Sequence, residues 1–398
     1  MLKFRWIKNK FLYLGKVLGR EISGFRNTRR GNTEEKHILL YCQSKTMEEH
    51  LLNFIEQIED NSKYKIYLYF GYVFPADLYG TLFHGKNVTA IGNEWKLYLM
   101  KWDLIVCPDM DYPFWLKRGT IPVLYIGHGS GGISYDGGEH SYDYSTASLD
   151  EKGRPLFDIM LEPNKETARR MKEDPIYGEI IRSSGYRFAA KIKDASLDKY
   201  QYQKQLGIQP GSKVVSIWGS WNKDSLFHVF GTELFSVCKS LQEKGYVFIL
   251  SIHPREYEQY DENITPLGAV VERQREEGFL VRSPGEDWLP YMMASDVILV
   301  DYSAMLSLAI LSGKKVILSN FPDERIWRKS MYYEAKHIFP VIKSPYELEH
   351  ALDMVERDSS YDDAVREFQD QLYVSREDYK KFIQNIVEEL TGNQSECR

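Results

Sequence analysis

Three short stretches of the 398-residue sequence combine residue types that can move a proton or hold an anion. In Gly127-His128-Gly129-Ser130-Gly131-Gly132, glycines surround one histidine. Glycine lets the backbone turn tightly and approach a ligand, so Gly129 and Ser130 are candidate substrate contacts. An imidazole held in such a turn can serve as a general base near neutral pH, which makes His128 a catalytic candidate. In Ser251-Ile252-His253-Pro254-Arg255, the proline disfavours helical geometry at His253 and projects it from the end of a strand. An imidazole next to the Arg255 guanidinium suits a pyrophosphate or a leaving phosphate. In Asp301-Tyr302-Ser303-Ala304, a strand runs into Ser303, which is expected to cap a helix. The free N–H groups and partial positive charge of such a helix start make an anion seat. Each stretch also has an ordinary reading, as a glycine turn, a strand-end turn and a capped helix. Together they are more specific, because each falls at the end of an expected strand.

Other chemistry is weakly signalled. Asp109-Met110-Asp111 has the spacing of an Asp-x-Asp metal pair, which chance also supplies in a chain this acidic. His140 and the stretch Tyr142-Asp143-Tyr144-Ser145-Thr146 are candidates for the acceptor side or a surface loop. No Walker loop, dinucleotide fingerprint, nucleophile elbow or metal-ligand cluster occurs. No cofactor is implied, and a divalent metal is compatible with the acidic pair. The four cysteines, Cys42, Cys107, Cys238 and Cys397, form no Cys-x-x-Cys pair, which excludes a disulfide framework and fits a reducing compartment.

Short apolar strands alternating with helical stretches must position these junctions. Strands are expected at residues 37–43, 65–70, 103–107, 123–127 and 158–161, and again at 213–218, 246–253, 279–282, 297–301 and 315–320. Helices are expected at 46–59, 165–173, 226–243, 287–294, 304–312 and 345–357, with charged amphipathic helices over 361–390. This rhythm predicts an α/β chain of two facing Rossmann-like, doubly wound domains, residues 31–195 and 196–360, followed by C-terminal helices over 361–398. Ligands of such sheets bind beyond the carboxyl ends of the strands, so the three junctions would meet in the cleft between the domains.

Residues 1–30 form a separate unit. Phe4, Ile7, Phe11, Leu14, Leu18, Ile22 and Phe25 recur at helical spacing, and the segment carries nine basic residues against Glu21. The total charge of -6 therefore divides into +8 here and -14 over residues 31–398. A basic amphipathic helix reads as an anchor on an anionic membrane surface, or else as a helix packed on the body. No signal peptide and no apolar run of ~18 residues is present, so a cytoplasmic chain held at a membrane surface by this segment is expected. The acidic body argues against a nucleic-acid partner.

The order Gly-His-Gly, Ser184-Gly185-Tyr186, His253-Pro254, Ser295-Asp296 and Asp301-Tyr302-Ser303 resembles the CDP-glycerol glycerophosphotransferases of teichoic acid and capsule polymer synthesis. The stretch over residues 294–318 carries most of the likeness. The resemblance implies a GT-B-like fold, a place at the inner face of the bacterial plasma membrane, and transfer of glycerol phosphate from CDP-glycerol to a hydroxyl of a lipid-linked or polymer acceptor, with release of CMP. It implies that His128 takes the hydroxyl proton, that His253 with Arg255 stabilises phosphate charge, and that Ser303 and its helix start hold the pyrophosphate. The sequence departs from the family pattern at Gly-His-Gly-Ser-Gly-Gly, at Ser-Gly-Tyr-Arg-Phe and at Gly219-Ser220-Trp221-Asn222. Another CDP-alcohol fits the same scaffold. So do a GT-B glycosyltransferase using a nucleotide sugar and a non-catalytic glycan-binding or assembly protein.

Overall fold

The computed structural model describes residues 35–71, 83, 85–110, 121–129, 132–134, 137–195, 198–258 and 265–392. The basic segment 1–30, Asp111 of the acidic pair, and Ser130 and Gly131 of the glycine stretch lie outside the described residues.

Seven strands form the first sheet: β1 (Lys36–Cys42), β2 (Tyr64–Phe70), β3 (Val88–Ile91), β4 (Leu104–Cys107), β5 (Val123–Tyr125), β6 (Ile159–Glu162) and β7 (Ile181–Ser183). Six form the second: β8 (Lys213–Gly219), β9 (Tyr246–Ile252), β10 (Leu280–Arg282), β11 (Val297–Val300), β12 (Lys315–Ser319) and β13 (Val341–Ile342). The orders are β3-β2-β1-β4-β5-β6-β7 and β10-β9-β8-β11-β12-β13. Pairings such as β1 with β4 and β8 with β11 are parallel. Both sheets are doubly wound, and each switches direction beside its central strand, which opens a crevice there.

The strand sequences explain this arrangement. In β1, Ile38, Leu40 and Cys42 enter one core while Leu39 enters another, on the opposite face. In β11, Ile298 and Val300 face one core and Val297 and Leu299 the other. Side chains alternate across a strand, so a run apolar at every position needs cover on both faces, which the helices provide. Three strands escaped the sequence reading: β3, β7 and the two-residue β13. All lie at sheet edges or near them. β3, with only Ile91 fully buried, has no continuous apolar run to mark it.

The expected C-terminal helices divide between the domains. Ser360–Leu372 places Val365, Phe368 and Leu372 in the core under β11. Arg376–Gly392 returns to the first sheet, where Tyr379, Ile383 and Val387 recur every four residues and join the core containing Ile38.

A second connection lies nearer the cleft. Ile133, just after the glycine stretch, forms an antiparallel bridge with Ile326 of the second domain. Ser134 N–H donates to the Arg325 carbonyl at 2.8 Å, and Trp327 N–H donates to the Gly132 carbonyl at 2.9 Å. The Trp327 side chain is only 1% exposed and packs in the first domain's core against Tyr144. The two domains are thus stapled directly beside the glycine turn. Among the described residues no helix is long and apolar enough to cross a membrane.

Candidate active site

His128 follows β5 through Gly127, whose φ of +65° is a left-handed value that favours glycine. Its Nδ1 lies 3.1 Å from the Pro108 carbonyl at the end of β4. A carbonyl can only accept, so Nδ1 carries a proton, and in the neutral ring Nε2 keeps its lone pair. Behind this turn, the Tyr125 hydroxyl donates to Asp143 Oδ1 at 2.6 Å. Burial raises the Asp143 pKa, while the nearby His128 and the tyrosine hydrogen bond pull it down. A second buried acid lies close by. Glu162 accepts from the Tyr144 hydroxyl at 2.9 Å, and burial lifts its carboxyl to about 7. The 142–146 stretch therefore supports the histidine turn from behind, with Asp143 and Tyr144 buried and His140 exposed.

His253 ends β9 and opens the 3-10 turn Pro254–Tyr257. Its Nδ1 accepts the Arg255 N–H at 3.2 Å, so the neutral ring carries its proton on Nε2. Burial, then the Arg255 charge, then His128 push the His253 pKa down to about 4. The ring is thus neutral at physiological pH, and the influence of His128 shows that the two imidazoles share the cleft. The Arg255 guanidinium stacks over the Trp221 ring at 4.5 Å, and Trp221 also lies 6.3 Å from His253. Trp221 is 39% exposed, an indole left open at the cleft by the loop after β8.

The third junction is organised by Asp301. Its carboxylate is 1% exposed and accepts N–H groups from Ser220 at 2.6 Å, Ser303 at 3.1 Å and Leu226 at 3.4 Å. Burial raises its pKa to about 6, against the pull of these hydrogen bonds. Tyr302 is buried, and its hydroxyl donates towards the Trp221 carbonyl at 3.2 Å and Asn222 Oδ1 at 3.3 Å. Asp301 and Tyr302 therefore brace the loops that carry Ser303 and Trp221. Ser303 does not cap the helix as expected. Asp301 takes its N–H, and Ala304 stands at the cap position of the Met305–Leu311 helix in helical geometry. The Ser303 hydroxyl is buried beside the Asp301 carboxylate without a well-aligned hydrogen bond.

These junctions meet across the cleft. A Cβ added at Gly129 would lie 2.6 Å from Ala304 Cβ, closer than such atoms pack, so glycine is required there. Gly132 lies near the Tyr302 carbonyl, where an added Cβ would make only ordinary contact at 3.5 Å. His128, Gly129, His253, Arg255, Ser303 and Ala304 are brought together. Asp109 Oδ1 accepts the N–H of Met110 at 2.6 Å. Among the described residues no group of three His, Cys, Asp or Glu could hold a metal ion.

The sequence reading missed several residues at the two sheet edges. Arg187 Nη2 donates to the carbonyls of Ile126 and Gly127, the latter at 2.8 Å, which fixes the turn before His128. His50, in the Glu48–Ile58 helix, stands edge-on to His128 with ring centroids 6.5 Å apart. Arg282 ends β10 beside Ser251, its guanidinium 5.9 Å from the Trp218 ring. Of these, only Arg187 lay within a quoted motif, immediately after Ser184-Gly185-Tyr186.

The comparisons with known proteins bear on the family and the fold. The sequence profile of the CDP-glycerol:poly(glycerophosphate) glycerophosphotransferase family matches residues 175–390, more than half of the chain. The solved structure of the wall teichoic acid polymerase TagF is similar with a TM-score of 0.66 at 14% identity, over 99% of this chain and 98% of that one. A TagF histidine variant soaked with CDPG scores 0.64 at 14% identity over the same shares. MnaA of S. aureus with UDP scores 0.61 at 14% identity, over 89% of this chain and 97% of that one. At such identities these likenesses speak for the fold, which is GT-B-like. No curated protein sequence matches. The chain belongs to the CDP-glycerol:poly(glycerophosphate) glycerophosphotransferase family and is a transferase of that type.

Proposed function

We propose that this chain moves glycerol phosphate from CDP-glycerol to a hydroxyl of a growing surface polymer and releases CMP. The observation that supports this best is the meeting of His128 with His253, Ser303 and Ala304 across one cleft, with Gly129 packed on Ala304. In the proposed step the acceptor oxygen attacks the phosphorus that bears glycerol. The new O–P bond forms as the P–O bond to CMP breaks. In the neutral ring, the Pro108 contact at Nδ1 leaves the lone pair on His128 Nε2, which takes the hydroxyl proton. Asp143, within the field of His128, stabilises the imidazolium that results. His253 Nε2–H and the Arg255 guanidinium donate to the phosphate oxygens, and the Ser303 hydroxyl faces the pyrophosphate. Donors fixed in a buried site are worth far more than the same groups in water. The basic segment 1–30 would hold the enzyme at anionic lipid, where a lipid-linked acceptor is presented.

The test is nucleotide release. Purified protein is given CDP-glycerol, other CDP-alcohols and nucleotide sugars, each with an oligo(glycerol phosphate) acceptor. CMP from CDP-glycerol, with an acceptor lengthened by one unit, is expected. Release of UDP or GDP from a nucleotide sugar would replace this reading with glycosyl transfer.

A further inference from the structure

The loop between β8 and the Leu226–Gln242 helix carries a strained residue at the edge of the cleft. Asn222 has a φ of +81°, and it is the one residue other than glycine with a positive φ among the described residues. Such a conformation persists only where the surrounding contacts over-determine it, and it gathers at functional sites. Here the contacts are explicit. Asn222 Oδ1 accepts the Asp224 N–H at 2.9 Å and faces the Tyr302 hydroxyl at 3.3 Å, while its carbonyl accepts the Ser225 N–H at 3.0 Å. Its own N–H donates to Glu256 Oε1 at 2.8 Å. Farther along the loop, Asp224 is joined to Arg325, whose carbonyl holds Ser134 of the first domain.

Glu256 lies in the 3-10 turn that His253 opens. Its side chain is 12% exposed, and its other oxygen pairs with His228 Nε2 at 2.9 Å, on the first turn of the Leu226–Gln242 helix. With both oxygens engaged, the carboxylate is held in place. Adjacent residues of one turn therefore reach the same loop: Arg255 lays its guanidinium over the Trp221 ring at 4.5 Å, and Glu256 takes the backbone N–H one residue further on. An arginine head on its long stem otherwise samples many rotamers. Stacked on an indole it is confined to one plane, with its N–H edge left for phosphate oxygens. The stack works only if the indole itself is held still.

Resting on the glycerophosphotransferase reading, we infer that Glu256 is a positioning residue for the transfer: through the Asn222 N–H it holds the Trp221 loop against the His253 turn, so that Trp221 keeps Arg255 aimed at the phosphates. Glu256 itself touches neither substrate nor the reacting atoms.

The experiment compares Glu256→Ala with Glu256→Gln, reading CMP release from CDP-glycerol. Glu256→Ala leaves the Asn222 N–H without its acceptor and should lower kcat/KM about tenfold, the worth of one charge-assisted hydrogen bond. Glu256→Gln keeps a carbonyl oxygen for that N–H and should stay within about threefold of the native protein. On a Trp221→Ala background, Glu256→Ala should add less than about twofold, because the group it acts through is gone. Equal losses in the Ala and Gln variants, or losses that multiply in the double variant, would overturn the inference. Acrylamide quenching of Trp221, isolated as the difference from Trp221→Ala, reads the held loop without any substrate. Glu256→Ala should raise that quenching and Glu256→Gln should not; unchanged quenching in Glu256→Ala would overturn the inference by itself. If the native protein releases no CMP from CDP-glycerol while the quenching follows this pattern, the transfer reading fails and the hold of Glu256 on the Trp221 loop stands.

Discussion

His253 should remain neutral far into the acid range, and this can be measured. Its pKa is pushed from the usual 6.5 down to about 4, by burial first and then by Arg255 and His128. Between these values the unfolded chain binds a proton that the folded chain refuses, so stability rises with pH across that window and is lost as pH falls through it. A displacement of about 2.5 pH units at about 1.4 kcal/mol per unit amounts to roughly 3 kcal/mol between pH 7 and pH 4. Other groups oppose this. Glu162 at about 7 and Asp301 at about 6 are raised above ordinary carboxylates, so each contributes stability below its unfolded pKa that disappears as pH rises through the folded value. The total profile is therefore a composite, and a difference is needed. Urea unfolding of the native protein and of His253→Gln, run in parallel from pH 7 to pH 4, cancels the carboxylates. The gap between the two curves should shift by roughly 3 kcal/mol in favour of the variant as pH falls. A gap that stays constant across the range would show that His253 titrates normally, and its assignment as a neutral donor would fail.

Four further outcomes are expected. His128→Gln should lose about 10²–10⁴ in kcat because the base is gone, whereas His253→Gln, whose amide still offers an N–H, should lose less; equal losses would contradict these roles. Gly129→Ala should cost about 1–3 kcal/mol of stability and lower kcat by separating the two cleft edges, and the added change Ala304→Gly should restore both, as thermal unfolding and turnover would report. Trp327→Ala should cost about 3–5 kcal/mol in denaturant unfolding, since the indole fills the first domain's core from the second domain's chain; a cost under about 1 kcal/mol would deny the staple. Deleting residues 1–30 should abolish sedimentation with vesicles rich in anionic lipid, and unchanged sedimentation would remove that segment from the membrane.

The sequence showed the parts of this molecule that have local causes. Central strands such as β1 and β11 are apolar at nearly every position because both faces are covered, and that pattern is written in consecutive residues. Gly127 and Pro254 punctuate the ends of β5 and β9, so the histidines there were found without knowing what faced them. What stayed hidden depends on approach through space. Arg187 acts on a turn 60 residues away, and Asp143, bonded to Tyr125, meets His128 only through its field. His50 sits on a helix like any polar residue near a first turn, and nothing in its neighbours marks it as the partner of His128. Ser303 was read as a cap because Ser before an apolar helix usually is one. The buried Asp301, two residues earlier, took the backbone N–H and fixed a different turn.

In the proposed transfer the same side chain takes opposite tasks on the two sides of the cleft, and backbone atoms do the setting. Pro108 offers His128 a carbonyl, which forces the proton onto Nδ1 and leaves Nε2 able to receive one. Arg255 offers His253 an N–H, which occupies the Nδ1 lone pair and leaves Nε2–H able to give a hydrogen bond. Charge adds to the division at His253, where the Arg255 guanidinium disfavours a cation. A transfer between phosphate and hydroxyl needs this asymmetry: one ring must gain charge during the step and the other must hold negative oxygens without gaining any. Gly129 against Ala304 and Trp327 in the opposite core fix the distance between the two rings' edges of the cleft. In the proposed reaction the two domains therefore supply chemically distinct halves of one site, and neither half contains both functions.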